Sequence, residues 1–124
     1  MTDKELEEKL KELKIEDFIW VIYIFIIFLS WYSNSLERNF FVYNDINSKE
    51  KYRKIMIIIF SILIVVYFYF LKDSYDSLKN IKKYANKNLY YLSFIASLFI
   101  FISGIIFIYI AIVDHDLNIE LAFN

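Results

Sequence analysis

Cysteine and proline are absent from the 124 residues, and glycine occurs once, at Gly104. Average usage would put about nine glycines and about six prolines in a chain of this length. The missing cysteine excludes disulfides, thiolate zinc sites and thiol catalysis, and the missing glycine excludes a phosphate-cradling loop. Charge is also missing, but only locally. Phe18 to Leu36 is 19 residues without a charged side chain, Ile55 to Leu71 is 17, and Asn88 to Val113 is 26.

What fills those gaps is apolar and aromatic. The chain is 59% hydrophobic and 21% aromatic, yet 23% charged, with a mean hydropathy of +0.43. The two kinds of residue therefore sit in separate blocks. At a rise of about 1.5 Å per residue the three runs reach roughly 28, 26 and 39 Å, against a hydrocarbon core of about 30 Å. Lys54 and Lys72 bracket the shortest run and can snorkel to the headgroups. A run such as IMIIIFSILIVVYFYF has no polar face at any helical period, which disfavours a soluble bundle. Strands are disfavoured because nothing alternates and no turn residue interrupts.

The expected fold class is all-α: an integral membrane protein with three transmembrane helices and an N-terminal amphipathic helix. The divisions are a cytoplasmic amphipathic helix at 1–17, spans at 18–36, 55–71 and 89–113, an outer loop at 37–54, a basic cytoplasmic loop or helix extension at 72–88, and an acidic outer tail at 114–124. The first 17 residues hold four lysines but seven acids, unlike the positive start of a signal peptide, so the first span is expected to be retained.

Orientation follows from Lys and Arg. Four precede the first span and five lie in 72–88, against five in 37–54 and none after the third span. Nine against five puts the N-terminus in the cytoplasm and the C-terminus outside the cell membrane. Aromatic belts fit the same layering, with Trp20, Tyr67, Tyr69, Tyr90 and Tyr91 near one interface and Trp31, Tyr32 and Tyr109 near the other.

Outside the spans, Thr2 and Glu5 form a capping-box pattern, and Leu6, Leu10 and Leu13 follow at i, i+4 and i+7. This segment is a docking helix or one that lies on the headgroups. Asn47 and Glu50 signal a second helix starting near Ser48. The cytoplasmic basic cluster Lys79, Lys82, Lys83 and Lys87 reads as a topology determinant held at anionic lipid rather than as a nucleic-acid site. Asp114, Asp116 and Asn118 open like a calcium loop, but Ile119 stands where its glycine is needed, so no metal is expected. Leu117, Ile119, Leu121 and Phe123 alternate with polar residues, as a strand or a folded-back tail would.

No Asp, Glu, Lys, Arg or His lies inside a span, which argues against proton-coupled transport. With no cysteine, one histidine near the end and no paired carboxylates on a helix face, no enzyme and no cofactor is expected. Ser93, Ser97, Gly104 and Ala111 fall on one narrow stripe of the third span, a helix-packing surface. Ser30, Ser33, Asn34 and Ser61 are expected to hydrogen-bond between helices. The bias toward residues with AT-rich codons suggests a bacterial source. The expected function is a small non-enzymatic accessory, regulatory or immunity-type subunit, acting on a membrane-protein partner within the lipid bilayer. The alternative is a homo-oligomeric, holin-like pore built on the small-residue stripe.

Overall fold

Thr2 opens the first helix by accepting from the Glu5 amide at 3.1 Å, while the Glu5 carboxylate reaches back to the Thr2 amide at 3.4 Å. In the computed structural model, which describes residues 2–80 and 86–121, this capping box starts α1 (Asp3–Tyr43). Two further helices follow, α2 (Ile46–Lys79) and α3 (Lys87–Val113). At about 1.5 Å per residue their 41, 34 and 27 residues give roughly 62, 51 and 40 Å. With almost no breaker in the sequence, nothing ends a helix except a specific cap.

That economy removes an expected loop. Residues 37–54 are helical except for Asn44 and Asp45, because Asn44 is the point where the chain can reverse. Its φ of 53° and ψ of 39° put it in the left-handed region, which asparagine tolerates better than most residues. Asp45 then caps α2, accepting from the Asn47 amide at 3.1 Å and the Ser48 hydroxyl at 2.8 Å. The Ser48 hydrogen bond is the main reason its carboxyl lies below the usual carboxylate range. The second helix thus begins at Ile46, and the cap is Asp45 rather than Asn47. Asn86 starts α3 in the same way, accepting from the Asn88 amide at 3.1 Å.

Likewise, the amphipathic N-terminal segment is no separate element: it is the first four turns of α1, continuous with the apolar run behind it. At the other end α2 continues past Leu71 to Lys79, so 72–79 is a helix extension.

The core is centred on α2. Tyr52, Met56, Ile59, Phe60 and Leu63 recur every three or four residues on one face and are buried against Ile26 and Leu36 of α1, Ala111 of α3 and Leu121 of the tail. Phe60 stacks on Phe107, with ring centroids 5.5 Å apart. Both α1 and α3 pack on α2, and the backbones of these outer two do not approach each other. α2 is the middle of a three-helix layer.

Of the serines expected to bridge helices, Ser33 and Ser61 bond within their own helix instead, and the buried Ser30 hydroxyl has no partner among the described residues. Ser33 donates to the Ser30 carbonyl at 2.7 Å and Ser61 to the Ile57 carbonyl at 2.7 Å, while Asn34 is exposed. A hydroxyl one turn from a free lone pair bonds locally without fixing a second helix.

Past α3 the tail turns back. Arg53 of α2 donates to the Ile112 carbonyl at 2.8 Å, a cation on the negative end of α3, and Lys49 lies 4.0 Å from Asp116. The Asp114 carboxylate accepts from the amides of Asn118 at 3.0 Å and Ile119 at 2.8 Å. Leu121 is buried against the bundle. Residues 114–121 are therefore a folded-back turn, not a strand, while Phe123 lies outside the described residues.

Candidate site: a hydroxyl-lined cleft between three helices

The stripe on α3 faces α2, and its two halves behave differently. Gly104 and Ala111 are buried. A Cβ placed on Gly104 would stand 3.1 Å from Cδ2 of Tyr67 and 3.3 Å from Cγ1 of Ile64, so α3 rests directly on α2 there. Two and three turns closer to the start of α3, Ser97 is half-buried and Ser93 exposed. Both serines line a cleft of about 550 Å³. The glycine thus marks where the helices meet and the serines where space remains between them, and the Tyr67 ring belongs to both regions.

Each helix contributes a wall. Tyr23 comes from α1, Tyr67, Phe70, Asp73, Ser74 and Ser77 from α2, and Leu89, Tyr90, Ser93, Ser97 and Ile100 from α3. Spacings of i, i+3, i+7 and i+10 from Tyr67 to Ser77 keep the α2 residues on one face, and Ser93, Ser97 and Ile100 do so on α3. Trp20 meets the Tyr23 ring edge-on at 5.8 Å, just outside the cleft.

Ser74 donates to the Phe70 carbonyl at 2.8 Å. Among the described residues, the hydroxyls of Tyr23, Tyr67, Ser93 and Ser97 make no such bond. Elsewhere in the helices Ser33, Ser35, Ser61 and Ser103 are back-bonded to their own helix. Hydroxyls open to a space between helices are available to whatever enters it.

Polarity rises toward one end. Asp73, Ser77 and Tyr90 also line a shallower hollow with Glu12, Asp76 and Asn80, so the mouth of the cleft is acidic. Lys79 of the basic cluster stands over the Tyr75 ring, 4.6 Å from its centroid. Lys87 is the first residue of α3, and Lys82 and Lys83 lie outside the described residues. Among the described residues no group of three or more His, Cys, Asp or Glu side chains is gathered as a metal would require.

The sequence named Ser93, Ser97, Gly104 and Ala111 but not the residues opposite them. Tyr67 and Tyr90 fit the sequence pattern of interface anchors, and nothing in the sequence singles out Tyr23 or Asp73. A signal for Tyr67, Ser74 and Ser77 existed in their helical spacing. No sequence signal pairs that face with Ser93 and Ser97, because the register between two helices is a tertiary property.

These elements define an all-helical protein in which two helices, α2 and α3, with mean hydropathies of 2.6 and 2.7 over their most apolar stretches, are long and apolar enough to cross a membrane. The chain matches no protein-family model, no curated protein and no solved structure.

Proposed function

We propose that the chain is a three-span membrane protein, with the charge-free run of α1 as the remaining span, and that it serves as a non-enzymatic accessory, regulatory or immunity-type subunit. The observation that carries this reading is the first four turns of α1. They continue in line with the apolar run, with no break at which they could fold down onto the headgroups. Leu6, Leu10 and Leu13 remain exposed, while Glu12 and Glu16 are the half-buried residues of that stretch. Lipid covers an apolar face inside the bilayer, but nothing covers a leucine stripe that stands in water. Anchors at i, i+4 and i+7 are how an amphipathic helix enters a partner's apolar groove. The arm's seven acids against four lysines favour a groove with a basic rim.

A photoreactive side chain at position 10 in cells is expected to yield one adduct of discrete mass, lost when Leu6 and Leu13 become serine. Adducts with lipid alone, or none, would overturn the docking reading. The pore alternative leans on the small-residue stripe as a seam between copies. Gly104 and Ala111 face α2 of the same chain, which favours the subunit reading.

Orientation is tested separately, since the chain has no cysteine of its own. With the N-terminus in the cytoplasm, an impermeant maleimide on intact cells should label Asn118→Cys and spare Asn80→Cys. The opposite pattern reverses the assignment.

A further inference from the structure

We propose that the cleft between α1 and α3 is a binding site for an amphiphilic organic cation, which holds its apolar body among the rings and its cationic group at Asp73. This goes beyond the docking arm and does not depend on it.

Size sets the first limit. About 550 Å³ falls within the range of roughly 300–1,000 Å³ typical of small-molecule sites. Three turns of a partner helix, about 10 Å across and about 16 Å long, would need more than twice that volume. The lining sets the second. Tyr23, Tyr67, Phe70 and Ile100 form apolar and aromatic walls, and the unbonded hydroxyls of Tyr23, Tyr67, Ser93 and Ser97 open between them. A mostly apolar space with a few convergent polar groups is the usual constitution of a ligand site.

Charge sets the third. Asp73 stands at the mouth, beside Asp76 and Glu12 in the adjoining hollow. Glu12 is 3.8 Å from Lys9, whereas Asp73 and Asp76 have no ion pair among the described residues. Neither carboxylate is engaged in an ion pair among the described residues, so both can receive a cationic group, whereas a neutral acyl chain would gain nothing from them. A cation gains from both the carboxylates and the ring faces.

The test uses two ions of the same shape and opposite charge, tetraphenylphosphonium and tetraphenylborate, titrated onto the full chain in nanodiscs of zwitterionic lipid. In a Trp31→Phe background Trp20 is the sole tryptophan, and its edge contact with Tyr23 makes its fluorescence a reporter of the cleft. The phosphonium ion is expected to give a saturable change at one ion per chain, and the borate none. Asp73→Asn, which removes the charge at the mouth and keeps the side chain's size, should weaken the phosphonium response at least tenfold. Ser97→Leu, which fills the cleft, should abolish it. Binding of the borate as tightly as the phosphonium, partitioning that never saturates, or a phosphonium titration that neither variant changes would overturn the proposal.

Discussion

Replacing both Ile58 and Val65 with arginine should keep α2 out of the bilayer in a large share of the chains, while α3 still anchors them. The two side chains are 51% and 69% exposed and lie seven residues apart, so they share one outward face of α2 and touch little of the protein. In water such a face gains from charge, and each substitution would shift stability by no more than about 0.5 kcal/mol. In a bilayer the sign reverses. An arginine near the centre of a span costs about 2.5–3.5 kcal/mol on insertion scales, while each Ile, Leu, Val or Phe contributes only about −0.3 to −0.6. Two arginines therefore offset about all of what the run Ile55 to Leu71 gains, and the inserted fraction of α2 should fall to about half or below. An insertion assay on α2 reads this directly. A double variant that stays soluble, folded and unchanged in yield would mean that α2 is the core helix of a water-soluble assembly.

The helical content of the chain was legible because so little competes with it. With no proline and one glycine, local preference is helix nearly everywhere, and the charge-free runs mark where each helix is most apolar. The capping box at Thr2 and Glu5 was readable because it needs only residues three apart. The same lack of breakers hid the helix ends. Asn39 to Asn44 looked like loop because it mixes polar and aromatic residues, yet the helix persists until Asn44 takes a left-handed conformation that a pattern of polarity does not encode. The serines misled for a related reason. A hydroxyl's alternatives are a partner helix or the carbonyl one turn back, and Ser33 and Ser61 took the nearer one. The cleft was half legible. The α3 stripe could be drawn on a wheel, but its division into a contact at Gly104 and a space at Ser93 depends on Tyr67 and Ser74, nineteen or more residues away in sequence and set by how two long helices cross.

Gly104→Leu should separate α3 from α2, whereas Gly104→Ala should leave them together. Alanine places a Cβ 3.1 Å from one ring carbon of Tyr67 and 3.3 Å from a side-chain carbon of Ile64, so each neighbour must yield by a few tenths of an ångström. The Tyr67 ring adjoins the cleft and has room to move. That crowding is offset by the helix preference of alanine over glycine, about 1 kcal/mol, so the net change is expected within about 1 kcal/mol of zero. Leucine adds three more carbons where the nearest neighbours all belong to α2. Inside a bilayer no transfer of apolar surface from water holds two helices together, and close packing is what remains. Moving α3 away to admit the side chain also opens the Phe60–Phe107 stack one turn further along. Overpacking of this kind costs about 1–3 kcal/mol, and the upper end is expected because one displaced helix loses its whole seam. Detergent titration of the reconstituted chain should show that loss. A short bis-maleimide placed between Phe68→Cys and Phe101→Cys, whose rings stand 5.9 Å apart in the parent chain, should bridge α2 and α3 in the Ala variant and at least tenfold more slowly in the Leu variant. If Gly104 instead served as a seam between copies, the leucine would leave that bridge intact and lower the oligomeric state, an outcome that would restore the pore reading.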